Sequence, residues 1–169
     1  MLTAAQEWFT RAPGSFEFDG ARLLASVFPE VAGGYAELLR VLIAGRELSN
    51  LTFVLALLHA YEGRDSVYPL IRKIVAVLPE GSDLLKCAQS VLSASGVVSG
   101  AYGFAELYDE RKARLNEWLT DEREPVRTFA CELIRRLEQR ISAENRDAQA
   151  SIALRRLEWP DDKDKAPDE

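Results

Sequence analysis

Residues 115–141 read LNEWLTDEREPVRTFACELIRRLEQRI, and two apolar helical faces meet there across a short polar turn. Upstream of the turn stand Leu115, Trp118 and Leu119. Downstream, Val126, Phe129, Ala130, Leu133, Ile134, Leu137 and Ile141 recur at the three- and four-residue spacing of one helix side. Pro125 suits the first turn of a helix, where its missing N–H costs nothing. Asp121 or Glu124 is placed to serve the free amides of that turn. No Gly or Pro follows until Pro160, so the helix is predicted to run from Pro125 to about Glu158. Past Ile141 its apolar side thins to Ala148, Ile152 and Leu157. That part either projects from the body or covers the end of a stack. Trp159-Pro160 ends it, and PDDKDKAPDE (residues 160–169) has the charge and proline content of a disordered acidic tail.

Upstream, Phe104 to Leu119 reads as one helix, with Leu107, Tyr108, Leu115, Trp118 and Leu119 on its buried side. GVVSGAYG (residues 96–103) is a Gly-rich connector before it. Ser82 or Asp83 caps the preceding helix, striped by Leu84, Leu85, Ala88, Val91 and Leu92 and closed by Gly96, and Pro79-Glu80-Gly81 is the turn ahead of it. Asp65 or Ser66 opens another helix, with Pro69 in its first turn and Val67, Leu70, Ile71, Ile74, Val75 and Leu78 as its stripe. Residues 51–61 are apolar nearly all round, which marks a central buried helix. Ser49 or Asn50 is its expected cap, and Glu62-Gly63 its end. Tyr35, Leu38, Leu39, Leu42 and Ile43 stripe the helix that Gly45 closes. Residues 2–12 form a short helix with Leu2, Ala5, Trp8 and Phe9 on one side, ended by Ala12-Pro13-Gly14-Ser15. Phe16-Glu17-Phe18 alternates for only three residues, too few for a strand. Gly20 to Phe28 returns to helix, and Pro29 stops it.

Three helix pairs therefore follow one another, over roughly 35–61, 66–95 and 104–158, their starts 31 and 38 residues apart. Such spacing marks helical repeats, in which one pair cannot bury its face alone and stacks on its neighbour. A single irregular bundle would carry similar stripes. The expected class is all-α: an α-solenoid of about three antiparallel helix pairs with a long C-terminal helix, in a single domain over residues 1–159.

WLTDEREPVRTFACELI (residues 118–134) resembles a HEAT repeat, whose signature is an apolar first helix, an Asp in the turn, then Pro-Val-Arg opening a second apolar helix. The matching residues are Leu115, Trp118 and Leu119, then Asp121, then Pro125-Val126-Arg127, then Phe129, Ala130, Leu133 and Ile134. In that family the Asp and Arg hydrogen-bond between turns and hold neighbouring repeats in register. The resemblance implies a HEAT-like solenoid in which Trp118, Asp121, Pro125, Arg127 and Phe129 have structural roles. More broadly, residues 82–159 resemble the C-terminal helical part of many uncharacterised bacterial proteins, some with NTPase or defence-type domains upstream. No NTPase motif stands in these 169 residues, so that chemistry does not carry over. What the resemblance implies is a subunit of a bacterial defence or regulatory assembly. Residues 1–80 carry no such resemblance.

A chain of 169 residues is long enough for one domain with a proper core. Its formal net charge of −6 is unevenly spread. Residues 1–110 carry 8 basic and 13 acidic side chains, whereas residues 111–158 carry 11 basic and 9 acidic. An acidic whole argues against nonspecific nucleic-acid binding, while the Arg-rich section leaves room for a local patch. The two cysteines, Cys87 and Cys131, sit beside apolar faces without CxxC spacing and read as small buried hydrophobes in a reducing compartment. The N-terminus has no basic start followed by an apolar core, and the longest apolar run, Leu51 to Ala60, is about half a membrane span. The expected location is cytoplasmic, with no membrane partner.

Among residues that carry chemistry, His59 is the only histidine. It lies in the most apolar helix with no acid four residues away, so it reads as a core or semi-buried structural residue rather than a base or ligand. Gly96, Gly100 and Gly103 lack the following Lys and preceding strand of a phosphate loop. Glu106, Asp109 and Glu110 suit a helix start better than a metal site, since no Glu-x-x-His accompanies them. Arg135, Arg136, Arg140 and Arg146, with Arg155 and Arg156, decorate the last helix and are the candidate partner-binding residues. Glu132, Glu138, Glu144 and Asp147 interleave with them, as on a solvated face. No nucleophile–base set, zinc spacing or dinucleotide fingerprint is present, so no catalytic residue, metal or cofactor is expected. The resulting expectation is a non-enzymatic protein-binding scaffold or adaptor. The alternatives are a nucleic-acid-binding accessory protein that uses the Arg-bearing last helix and a self-associating subunit.

Overall fold

The computed structural model describes residues 2–94, 98–100 and 102–158, with side chains as far as Arg155. The predicted tail 160–169, the closing role of Gly96 and the side chains of Arg156 and Leu157 lie outside the described residues. The regular elements are α1 (Leu2–Arg11), α2 (Pro13–Ser15), a π-helical turn (Phe16–Gly20), α3 (Ala21–Val27), α4 (Gly33–Ala44), α5 (Leu48–His59), α6 (Tyr68–Val77), α7 (Asp83–Ser93), α8 (Gly103–Asn116) and α9 (Glu124–Glu158). The class is all-α, with no strand among the described residues. No helix among them is long and apolar enough to cross a membrane. The chain divides into two compact units, Met1–Gly96 with Asp121–Phe129, and Val97–Thr120 with Ala130–Glu169.

In the first unit α5 is the centre, as its composition predicts. Leu51, Phe53, Val54, Leu55, Leu57 and Leu58 are buried, and α5 packs against α3, α4 and α7. The stripe of α6 and the cap of α7 also follow the sequence: Val67, Leu70, Ile71, Ile74, Val75 and Leu78 are buried, and the Ser82 hydroxyl accepts from the Leu84 amide. The cap of α5 does not. Its N-cap residue is Glu47, while Asn50 accepts from Gln6 and donates to Glu47. Gly45 closes α4 in right-handed geometry, and the left-handed residue is the next one, Arg46. On α4 the buried residues are Tyr35, Ala36, Leu39 and Ile43, and Leu38 points outward with Val41. Glu37 and Arg40 mark the outer side of this helix, and Leu38 and Val41 flank them there.

The N-terminal segment departs most from expectation. Pro13 restarts the helix one residue after the break at Ala12, its fixed φ being suited to a first helical turn. The chain then stays helical through the π turn into α3. Phe16 explains the wide turn. It is fully buried, 5.9 Å from the Trp8 ring, 5.6 Å from Phe9 and 5.3 Å from Phe53. Its ring lies so close to Gly20 that a Cβ there would stand 2.5 Å from Phe16 Cδ2. Gly20→Ala should therefore cost about 1–3 kcal/mol as an overpacking substitution. Urea denaturation checks this, and Gly14→Ala, whose added Cβ meets nothing within 4 Å, is the control.

In the second unit the 3₁₀ turn Glu117–Thr120 follows α8. It keeps Trp118 buried and leaves Leu119 exposed, against expectation. At three residues per turn, the fourth residue after Leu115 falls well off the α-helical stripe. Arg111 is buried, between Tyr108 and Leu115 on the inner stripe of α8. On α9, Ala130, Leu133 and Leu137 are buried, Ile134 and Ile141 are half-buried, and the inner side continues to the buried Ala148. Among the contacts between the helices of this unit, Lys112 lies 4.0 Å from Glu138, and the Arg140 guanidinium lies 5.7 Å from the centre of the Tyr108 ring. Both cysteines are exposed rather than buried. Each stands one residue from a buried alanine, Ala88 or Ala130, a rotation of roughly 100° around the helix.

Candidate functional site

Thr52, Leu55, Ala56 and His59 stand at three-, four- and seven-residue intervals, so one face of α5 presents all four. On α7, Leu84, Cys87 and Val91 recur in the same way, with Ser90 beside them. Where these faces meet, within the first unit, they line a cleft of about 260 Å³. Glu17 completes the lining. The π turn delivers it: Phe16 is held in the aromatic core, and the next residue emerges exposed at the cleft.

His59 is exposed, not a core residue. Position 59 shares the side of Thr52 seven residues earlier, and these are the two polar breaks in the apolar run Leu51–Ala60. Its Nε2 lies 3.3 Å from Ser90 Oγ, joining α5 to α7. The Thr52 hydroxyl donates to the Leu48 carbonyl at 2.8 Å, so toward any further partner its oxygen acts as an acceptor. Glu17, His59 and Cys87 do not converge on one point, since among the described residues no three His, Cys, Asp or Glu side chains stand close enough to share a metal ion. The cleft has the means to hold a ligand: apolar walls, a hydroxyl acceptor and one carboxylate.

A second cluster surrounds Asp121, also within the first unit. Its carboxylate, 2% exposed, accepts from Arg72 Nε on α6 at 2.5 Å and from Arg123 Nε and Nη2 at 2.8 and 2.7 Å. It also accepts from the Arg123 amide at 2.9 Å. Asp121 thus ties down the residue before α9 rather than the amides of the first turn of α9. Arg127 Nη1 donates to the Asp121 and Glu122 carbonyls at 2.7 and 2.9 Å. The sequence singled out Asp121 and Arg127, and the structure brings them together through the backbone. Arg72, 49 residues away, was not legible. The Arg123 guanidinium first, then its amide and Arg72, hold the Asp121 carboxyl well below the usual carboxylate range, against the opposing push of burial.

Pro125 occupies the first turn of α9 and is exposed; Trp118 and Phe129 are buried. Arg135, Arg136, Arg140 and Arg146 are all on the exposed side of α9. They do not form one row. At roughly 100° per residue, Arg135 and Arg146 share one line and Arg136 and Arg140 another, about a third of a turn away. Arg146 Nε also donates to the Ser142 carbonyl at 3.2 Å. Leu38, which the sequence places on the stripe of α4, lies outside, and three other apolar side chains of α3 and α4 are exposed as well. Leu23 and Val27 on α3, four residues apart, and Leu38 and Val41 on α4, three apart, are each more than half exposed.

No protein-family model, no curated protein and no solved structure matches this chain.

Proposed function

We propose that this chain is a non-enzymatic scaffold that binds another protein, its helix pairs stacking as a HEAT-like α-solenoid. Two observations support the architecture. The helix pairs begin at near-repeat intervals, and the Asp121 cluster fastens α6 to the turn before α9 with the residue types that the repeat signature calls for. The binding role rests chiefly on one observation: the paired, more than half exposed apolar side chains on α3 and α4. Exposed apolar side chains repeated at helical spacing on two elements mark an interaction surface. The resemblance of residues 82–159 to bacterial proteins with defence-type domains makes a defence or regulatory assembly the proposed setting.

The test is capture of the partner by tagged wild-type chain and by the Leu38→Glu, Val41→Glu double variant. Both positions are exposed, so the variant should fold, which circular dichroism checks. Recovery of the partner should fall at least about tenfold, as for loss of central interface residues. Undiminished recovery would remove α4 from the interface, and absence of any stoichiometric protein would overturn the scaffold reading.

A further inference from the structure

We propose that the cleft between α5 and α7 seats a basic side chain, lysine or arginine, presented by the partner protein. The inference rests on the scaffold reading and names what one part of the surface recognises. Size comes first. At about 260 Å³ the cleft falls below the roughly 300–1,000 Å³ of pockets that enclose a whole small-molecule ligand, so it suits one side chain. Shape chemistry comes second. Leu55, Ala56, Leu84 and Val91 provide apolar walls, which accept the methylene stem of an amphipathic side chain.

The head group is set by charge and by hydrogen-bond sense. Glu17 is the one lining residue with a full formal charge at neutral pH, and it is negative. The Thr52 hydroxyl has already spent its proton on Leu48, and the Ser90 hydroxyl carries lone pairs beside His59. The Glu17 carboxylate and the Thr52 oxygen are acceptors, and the His59–Ser90 pair beside them has one donor and one acceptor role set by the imidazole tautomer. Such a lining matches an ammonium or guanidinium, which only donates. The Glu17 charge repels a carboxylate and gains nothing from a plain alkyl group. Residues 1–110 carry 8 basic and 13 acidic side chains, so the wider field has the same sign.

Three probes with one stem separate these contributions: n-butylammonium, n-butanol and butyrate. Each is titrated into ¹⁵N-labelled full chain at low salt, and the amide resonances of Thr52, His59, Cys87 and Ser90 are followed. Butylammonium should shift them saturably, and butanol and butyrate should bind more weakly. Glu17→Gln, a change at an exposed residue, should weaken butylammonium about threefold to fivefold, the upper range for a solvent-exposed ion pair. Ala56→Leu, which fills the cleft, should abolish the shifts. Equal binding of butanol, preference for butyrate, shifts unaffected by Glu17→Gln, or no binding by any probe would each overturn the proposal. Partner capture separates the two claims. A partner retained by Ala56→Leu, with no butylammonium binding to wild type, removes the cleft and keeps the scaffold. Saturable butylammonium binding with no protein partner keeps a cation site and removes the scaffold.

Discussion

Phe129→Ala is expected to lower stability by about 3–5 kcal/mol, the range for truncating a buried aromatic ring. Phe129 is 4% exposed on the inner side of α9, with the buried Val126, Ala130 and Leu133 at helical neighbour positions. Its ring therefore leaves a cavity that a helix turn does not close by shifting one residue. The control is Arg140→Ala on the same helix. Arg140 is exposed, and the interaction it loses is its position over the Tyr108 ring, worth about 0.5–1 kcal/mol at an exposed site. Urea titrations of both variants should give a large drop in midpoint for Phe129→Ala and a small one for Arg140→Ala, with unchanged slopes. Equal small effects would contradict the assignment of the inner face.

Asp121→Asn should cost about 2–4 kcal/mol. Removing one partner of a buried ion pair costs about 3–5 kcal/mol, and the partly exposed guanidiniums of Arg72 and Arg123 reduce that. The pH dependence follows from the direction of the shift. The folded carboxyl titrates well below its ordinary range, so the folded state binds the proton less readily than the unfolded chain. Its contribution is complete above the unfolded value of about 3.9 and is lost as the pH falls below it. The gap between wild type and Asp121→Asn should accordingly be constant near pH 7 and narrow below about pH 4. A gap that widens in acid would exclude the Asp121 cluster as its source. Arg127→Ala should act differently, with little pH dependence, because Arg127 holds backbone carbonyls rather than the carboxylate.

What the sequence made legible and what it hid have physical causes. Elements α6, α7 and α9 carry clean apolar spacing and recognisable starts, in Pro69, Ser82 and Pro125, and they form where expected. Local rules fail where tertiary contacts decide. The π turn exists because Phe16 meets Phe53, 37 residues away, and Gly20 makes room for the ring. Leu38 and Val41 face outward with Glu37 and Arg40, whose charges mark the outer side of α4 more reliably than its apolar spacing does. Arg111 escaped notice because a charged residue on an apolar stripe reads as an interruption. The cleft left a partial trace. Thr52 and His59, the two breaks in the apolar run of α5, are seven residues apart and so share a face. Nothing local announces that Glu17, 35 residues before Thr52, completes it.

The most direct test of the scaffold claim is a tagged pull-down from source-cell lysate, with and without nuclease, read by mass spectrometry. The account predicts a stoichiometric protein partner that survives nuclease treatment. Loss of every partner on nuclease treatment would contradict it and turn attention to the exposed arginines of α9.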